Sequence, residues 1–280
     1  MALNFIEIMK VILLGIVEGV TEWLPISSTG HMLLVDAFIQ LNMSEVFKEM
    51  FFVVIQLGAI LAVLVTFWNK MMPLGFNEPR KPVVDREIVL LWLKVCVACI
   101  PGALASVFFD DAVEAYLKTP MVIAAALIFY GIVLLLIESR NQHRAFVVCD
   151  LSGMSFRTAL MIGFFQVLSL IPGTSRSGAT IIGALLMGVS RYSAAEFTFF
   201  LAVPVMFGLS ALKIMKFGMA FNRTEIVVLG IGMASAFSVS LLVIRFLMNY
   251  IKTHDLKIFG WYRIALGMFV LLSILMKPAA

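Results

Sequence analysis

Two short stretches carry nearly all the residues in this chain that could do chemistry. The first, EGVTEWLPISSTGH, runs from Glu18 to His31, and the second, PGTSRSGAT, runs from Pro172 to Thr180. In the first, Glu18 and Glu22 stand four apart, so on a helix they share one face. Ser27, Ser28 and Thr29 follow Pro25 within a turn and end next to His31. In the second, Ser175, Ser177 and Thr180 surround Arg176, and Gly173 and Gly178 allow close backbone approach.

These residue types point to a phosphoryl group. Arg176 offers a planar, permanently charged fork suited to phosphate oxygens. Ser27 to Thr29 and Ser175 can each start a new helix, whose free N–H groups and positive dipole end favour an anion. Two carboxylates beside phosphate would repel it unless a cation lay between. Glu18 and Glu22 therefore read either as ligands of a divalent cation, Mg²⁺ or Ca²⁺, or as parts of a proton relay. His31 or a carboxylate can take a proton from a hydroxyl or water. The blander readings are helix caps for the hydroxyls, a solvated helix-end pair for the glutamates, and an interfacial anchor for Arg176.

The elements that must position these groups are apolar. Of 280 residues, 62% are hydrophobic and 14% charged, against about half and a quarter in soluble domains. Six runs approach the ~20 residues that span a bilayer: 51–68, 88–109, 121–138, 197–217, 225–248 and 258–276. Helices are expected throughout, since a helix satisfies its own backbone in lipid. The start of the chain lacks the cleavage site of a signal peptide. Cys96 and Cys99 form a C-x-x-C inside an apolar run with no second pair, which reads as packing. Gln56 reads as an interhelical hydrogen-bonding residue, and Arg191 and Glu196 as interfacial groups.

Residues 5–41 and 158–192 break the pattern. Each is a short apolar segment, a Pro/Gly/Ser-rich interruption and a second short apolar segment, the outline of a re-entrant helical hairpin. The two also resemble each other: Gly15 aligns with Gly163, Glu18 with Gln166, and Ser28 with Ser175 after a one-residue shift. FFVVIQLGAI at 51–60 matches FFLAVPVMFG at 199–208, an offset of about 148. The reading is an all-α polytopic membrane protein, one domain over 1–280. It is built from an inverted-topology repeat, about 1–140 and about 150–280, each half a re-entrant hairpin plus three transmembrane helices. The loops 69–87, 139–157 and 249–257 carry Lys70, Arg80, Lys81, Arg86, Arg140, Arg144, Arg157, Lys252 and Lys257, while Asp110, Asp111 and Glu114 lie on the other side. That asymmetry places the cation-rich side in the cytoplasm and turns the first hairpin's mouth outward.

The motifs E-G-x-T-E-x-L-P-x-S-S-T-G-H at Glu18–His31 and P-G-x-S-R-S-G-A-T at Pro172–Thr180 resemble the bacterial undecaprenyl-diphosphate phosphatase family, the BacA-type bacitracin-resistance proteins. VIQLGAILAV and GVSRYSAAEF carry the likeness across nearly the whole chain. The resemblance implies hydrolysis of undecaprenyl diphosphate to its monophosphate and inorganic phosphate with a divalent cation, recycling the lipid carrier for cell-wall synthesis in the bacterial cytoplasmic (inner) membrane. It implies catalytic roles for Glu18, Glu22, Ser28, His31 and Arg176. Ser27, Thr29, Ser175, Ser177 and Thr180 become the expected phosphate contacts, and Glu18 and Glu22 the metal ligands. The expected partners are the polyprenyl diphosphate and membrane lipid, with a homodimer left open and no nucleic acid. Type-2 phosphatidic acid phosphatases share S-G-H and S-R segments but place a His six residues after the Arg, where this chain has Ile182. The rival from another class is a flippase of the polyprenyl phosphate, since alternating-access carriers also use broken helices around a midplane site.

Overall fold

The computed structural model describes residues 4–74, 84–142, 145–218 and 220–276, and among these every named element is helical. In chain order they are α1 (Phe5–Thr21), α2 (Ser28–Ile39), α3 (Glu45–Val54), α4 (Gln56–Thr66), α5 (Trp68–Met71), α6 (Arg86–Tyr116) and α7 (Pro120–Asn141). After these come α8 (Phe156–Val167), α9 (Arg176–Leu186), α10 (Arg191–Phe217), α11 (Arg223–Tyr250) and α12 (Lys257–Leu275). Capping residues mark most helix starts. Side chains of Asn4, Ser27, Ser44, Asp85, Thr119, Ser155, Ser175, Ser190 and Asn222 each accept from a first-turn N–H, which satisfies a donor the helix itself cannot.

Six segments are long and apolar enough to cross a membrane: Glu45–Thr66, Arg86–Phe109, Pro120–Asn141, Arg191–Phe217, Arg223–Tyr250 and Lys257–Leu275. The chain is a multi-pass membrane protein. The first span is expected as one run from 51, but it starts at Glu45 and bends at Ile55, whose carbonyl accepts from Gly58 N at 3.0 Å in a tightened turn. Gln56 starts α4 at this bend, and its side chain has no hydrogen-bond partner among the described residues. The stretch 110–116, read as loop, continues α6 instead. The side chains of Asp110, Asp111 and Glu114, and Arg80, Lys81 and Arg144 altogether, lie outside the described residues.

Apart from the one-turn α5, the remaining helices come in two short pairs. Lys10 Nζ in α1 donates to Gln40 O at 3.0 Å, and Asn42 N donates to Glu7 Oε2 at 3.1 Å, so the start of α1 is tied to the end of α2. Val147 N and Val148 N both donate to Gly188 O, at 2.8 and 3.2 Å, which ties the segment before α8 to the end of α9. Helix α1 packs along α11 and α8 along α6; α4 lies on α11 and α10 on α6; α7 and α12 lie against each other. The first two contacts are close enough to require glycine. A Cβ on Gly15 would stand 2.6 Å from Gly232 O, and one on Gly163 would stand 2.3 Å from Ala98 O. Such small residues let helix backbones approach where lipid gives no hydrophobic drive to pack.

The cation-bearing loops share one end of the bundle. Lys94 Nζ on α6 donates to Leu151 O and Ser152 O at 3.3 and 3.2 Å. Arg191 at the start of α10 donates from Nε to both oxygens of buried Glu138 on α7, at 3.0 and 2.9 Å. Lys70 pairs with Glu196. Arg191 and Glu196 thus join helices across this end through buried carboxylates. Cys96 and Cys99 are free on α6.

Candidate active site

The two interruptions between short helices have the same backbone. Ser27 (φ 74°, ψ 94°) and Ser175 (φ 69°, ψ 119°) both occupy the left-handed half of conformational space, a strain of order 1–3 kcal/mol for a residue with a Cβ. Each serine then caps the following helix: Ser27 Oγ accepts from Gly30 N at 3.4 Å and Ser175 Oγ from Gly178 N at 3.2 Å. The counterpart of Ser175 is therefore Ser27, with no shift in register, and the counterpart of Ser28 is Arg176. The one-residue shift that matched Ser28 to Ser175 is corrected by this backbone: chemical likeness paired the wrong serines.

The interruptions meet. Arg176 Nη2 donates to Glu22 Oε1 at 3.0 Å, with the two side chains only 11% and 5% exposed. Its Nη1 donates to Thr198 O at 3.2 Å, and its buried Nε has no partner among the described residues. The other Glu22 oxygen, Oε2, accepts from Ser28 Oγ at 2.6 Å. Ser177 Oγ lies 3.2 Å from both Glu22 O and Leu24 O, and 3.1 Å from Ser175 Oγ. Thr180 Oγ1 sits 3.0 Å from Arg176 O and 2.9 Å from Thr198 Oγ1, fastening the first turn of α9 to α10. Of the predicted residues, Glu22, Ser28, Arg176, Ser175, Ser177 and Thr180 form one connected network.

His31 and Thr29 stand outside it. The Nδ1 of His31 lies 2.7 Å from Ser27 O, and a carbonyl only accepts, so Nδ1 carries the proton. In the neutral ring Nε2 is then an acceptor, and it lies 2.7 Å from the Tyr262 hydroxyl, the two rings stacked with 3° between their planes. Thr29 is exposed and has no side-chain partner among the described residues. Glu18 is buried one turn before Glu22, and neither of its carboxylate oxygens has a hydrogen-bond partner among the described residues. Two unpartnered hard oxygens one helical turn from a second carboxylate are the donor type a divalent cation takes, although no group of three or more His, Cys, Asp or Glu converges among the described residues.

Three groups escape a reading of the two motifs. Thr198 accepts from Arg176, and Tyr262 holds His31. The third is Arg263, fully buried in α12. Its Nη1 donates to Pro25 O at 3.3 Å, and its Nη2 to Gly173 O at 3.0 Å and Thr174 O at 2.7 Å. One guanidinium thus fastens both interruptions through their carbonyls. A signal was available: an arginine inside an apolar span is functional by default.

Fold and site together define an integral membrane protein that holds strained, hydroxyl-rich helix starts and an Arg–Glu–Ser network in its interior. The chain belongs to the family described as Bacitracin resistance protein BacA, whose model matches residues 11–269. It is 65% identical over 272 residues to an undecaprenyl-diphosphatase of Enterococcus faecalis, covering 97% of this chain and 99% of that one. It is 57% identical over 268 residues to one of Desulfitobacterium hafniense, covering 95% and 96%. One of Lachnoclostridium phytofermentans is 56% identical over 268 residues, covering 96% and 97%.

Proposed function

We propose that this protein hydrolyses undecaprenyl diphosphate to undecaprenyl phosphate and inorganic phosphate, returning the lipid carrier to cell-wall synthesis. The observation that carries the reading is the Ser28–Glu22–Arg176 contact: a hydroxyl on a carboxylate that is itself paired to a phosphate-binding guanidinium. Ser28 Oγ attacks the terminal phosphorus as Glu22 takes its proton. The Oγ–P bond forms, the bond to the bridging oxygen breaks, and the lipid monophosphate leaves. Glu22 passes that proton to the departing phosphate oxygen; it then takes a proton from the water that attacks the phosphoserine and returns it to Ser28 Oγ as the Oγ–P bond breaks and inorganic phosphate leaves. Arg176 and the free N–H groups at the starts of α2 and α9 hold the charged oxygens, so positioning and electrostatics supply most of the rate. His31, tied to Ser27 O and Tyr262, steadies the turn that carries Ser28. Glu18 and Glu22 would hold the divalent cation, Mg²⁺ or Ca²⁺, which when bound neutralises diphosphate charge. Ser27, Thr29, Ser175, Ser177 and Thr180 act as phosphate contacts or as supports of the groups that make them.

The finer architecture belongs to the same reading. The pairs α1–α2 and α8–α9 are re-entrant hairpins, and the halves 1–140 and 150–280 are inverted repeats of one membrane domain. The exchange of helix pairings between the halves and the matched Ser27 and Ser175 backbones support this. The cation-rich end faces the cytoplasm, the protein sits in the inner membrane, and the first hairpin opens outward. A flippase needs cations and amides for phosphate but no hydroxyl held at 2.6 Å on a carboxylate, so hydrolysis is the reading favoured. Phosphate release from undecaprenyl diphosphate by the purified protein, with and without divalent cation, tests it: release that needs the cation is expected, and lipid left intact under both conditions would overturn it.

A further inference from the structure

At the cation-rich end, α4, α5, α10 and α11 enclose an open cavity of about 430 Å³. It is far from charge-neutral. Lys70 and Lys252 lie over the ring of one residue, Tyr192, at 5.8 and 5.9 Å from its centroid. Arg245 lines the same cavity and has no ion-pair or hydrogen-bond partner among the described residues. Lys70 pairs with Glu196 at 2.5 Å. Burial draws Lys70 down, but Glu196 and the more distant Asp150 leave it above its ordinary value, so it is charged at neutral pH. Lys70, Lys252 and Arg245, two of them sharing a ring, face Glu196 and the more distant Asp150, so positive charge is in excess at this cavity and favours an anion.

Two further features belong to a site and not to a merely solvated surface. Asn69 and Asn249 add neutral donors to the cavity wall. The Thr66 hydroxyl, which borders it, is buried with no hydrogen-bond partner among the described residues, an arrangement native structures rarely leave standing. Trp68, half-exposed at the rim, is the residue type that settles at the level of lipid head groups. Basic pockets between helices at this depth are suited to phosphate-bearing head groups.

We propose that this cavity is a second anion site, distinct from the Arg176 centre, which binds a phosphate group at the cation-rich membrane face through Arg245, Lys252 and Lys70. The ligand chemistry is a phosphate anion carried by a lipid head group or free in solution. The site owes nothing to the hydrolysis reading and would stand if that reading failed.

The test uses the purified full-length protein and its Arg245→Gln/Lys252→Gln variant, both side chains lying at the surface. Dihexanoyl phosphatidylglycerol, dihexanoyl phosphatidylcholine and inorganic phosphate are each titrated below their micellar concentrations, with tryptophan fluorescence as readout. The expected result is phosphatidylglycerol affinity about tenfold or more weaker in the variant, with phosphatidylcholine unaffected. The same loss with inorganic phosphate would assign free phosphate as the ligand and support the shared chemistry. Equal affinities of the two proteins for both anions would overturn the proposal, as would an equal loss for phosphatidylcholine. If the double variant does not fold, Lys252→Gln alone serves the same comparison, with weaker anion binding expected and unchanged binding contradicting. Phosphate release from undecaprenyl diphosphate is expected to be unchanged in either variant.

Discussion

Arg176 and Glu22, 154 residues apart in the chain, form a buried ion pair at 3.0 Å that joins the two interruptions of the fold. The pair is not a simple stabilising bridge. Removing two charges from water costs several kcal/mol per ion, and mutual attraction offsets this only with further hydrogen bonds. Here those bonds are supplied by Ser28 Oγ on the carboxylate and Thr198 O on the guanidinium. The arrangement holds a base, a hydroxyl and a phosphate fork in register at the expense of burying charge.

Arg176→Lys keeps the charge and the reach to Glu22 but loses the fork. We expect the protein to fold and kcat to fall by roughly 10²–10³. Phosphate release at saturating lipid checks this, and near-normal turnover would exclude a bidentate role.

Ser28→Ala removes the hydroxyl on Glu22 and leaves the helix cap to Ser27. Turnover is expected to fall by at least about 10³, to the level left by binding and electrostatics alone. Substantial residual release would transfer the attack to water, with Glu22 as its base.

Chelation with excess EDTA is expected to silence release and a divalent cation to restore it, through Glu18 and Glu22. Glu18→Gln, which leaves the Arg176–Glu22–Ser28 contacts untouched, should raise the cation concentration needed for half-maximal activity. An unchanged cation requirement in this variant would remove Glu18 from the ligand set.

Arg263→Met strips three carbonyls in two interruptions of their donor. Loss of a buried charged donor to several acceptors destabilises by about 3–5 kcal/mol, so thermal unfolding in detergent should come several degrees earlier. A melting temperature equal to that of the parent would show that the two interruptions hold together without it.

Gly163→Ala and Gly30→Ala make a matched pair. The first places a methyl 2.3 Å from Ala98 O and must separate α8 from α6, whereas the second meets nothing nearer than 3.5 Å. A lowered unfolding temperature is expected for Gly163→Ala alone, and equal stability of the two variants would contradict the close approach.

Much of this was legible in the residues, for a physical reason. Apolar runs of span length can do little else, and polar interruptions inside them have few neighbours except one another. Glu22, Ser28 and Arg176 could therefore be placed together before any coordinates. Contacts to backbone leave no such trace in the sequence. Arg263 and Thr198 act through carbonyls of Pro25, Gly173 and Thr174, or by offering one to Arg176, and a carbonyl carries no residue type to read. Tyr262 reaches His31 from α12, which the motifs do not include. The 110–116 stretch reads as loop because it is charged, but α6 runs on through it to Tyr116, past its apolar segment. The Ser28–Ser175 pairing failed because the matching feature is a positive φ at Ser27 and Ser175, a backbone property that serine does not advertise.

The central claim is that the two interruptions act as one centre through Glu22 and Arg176. A double-mutant cycle on kcat/KM for phosphate release from undecaprenyl diphosphate, with Glu22→Gln, Arg176→Gln and the pair combined, tests it most directly. If the two groups work as a unit, the double variant will be about as impaired as the worse single variant. Losses that multiply, as for independent sites, would contradict the account.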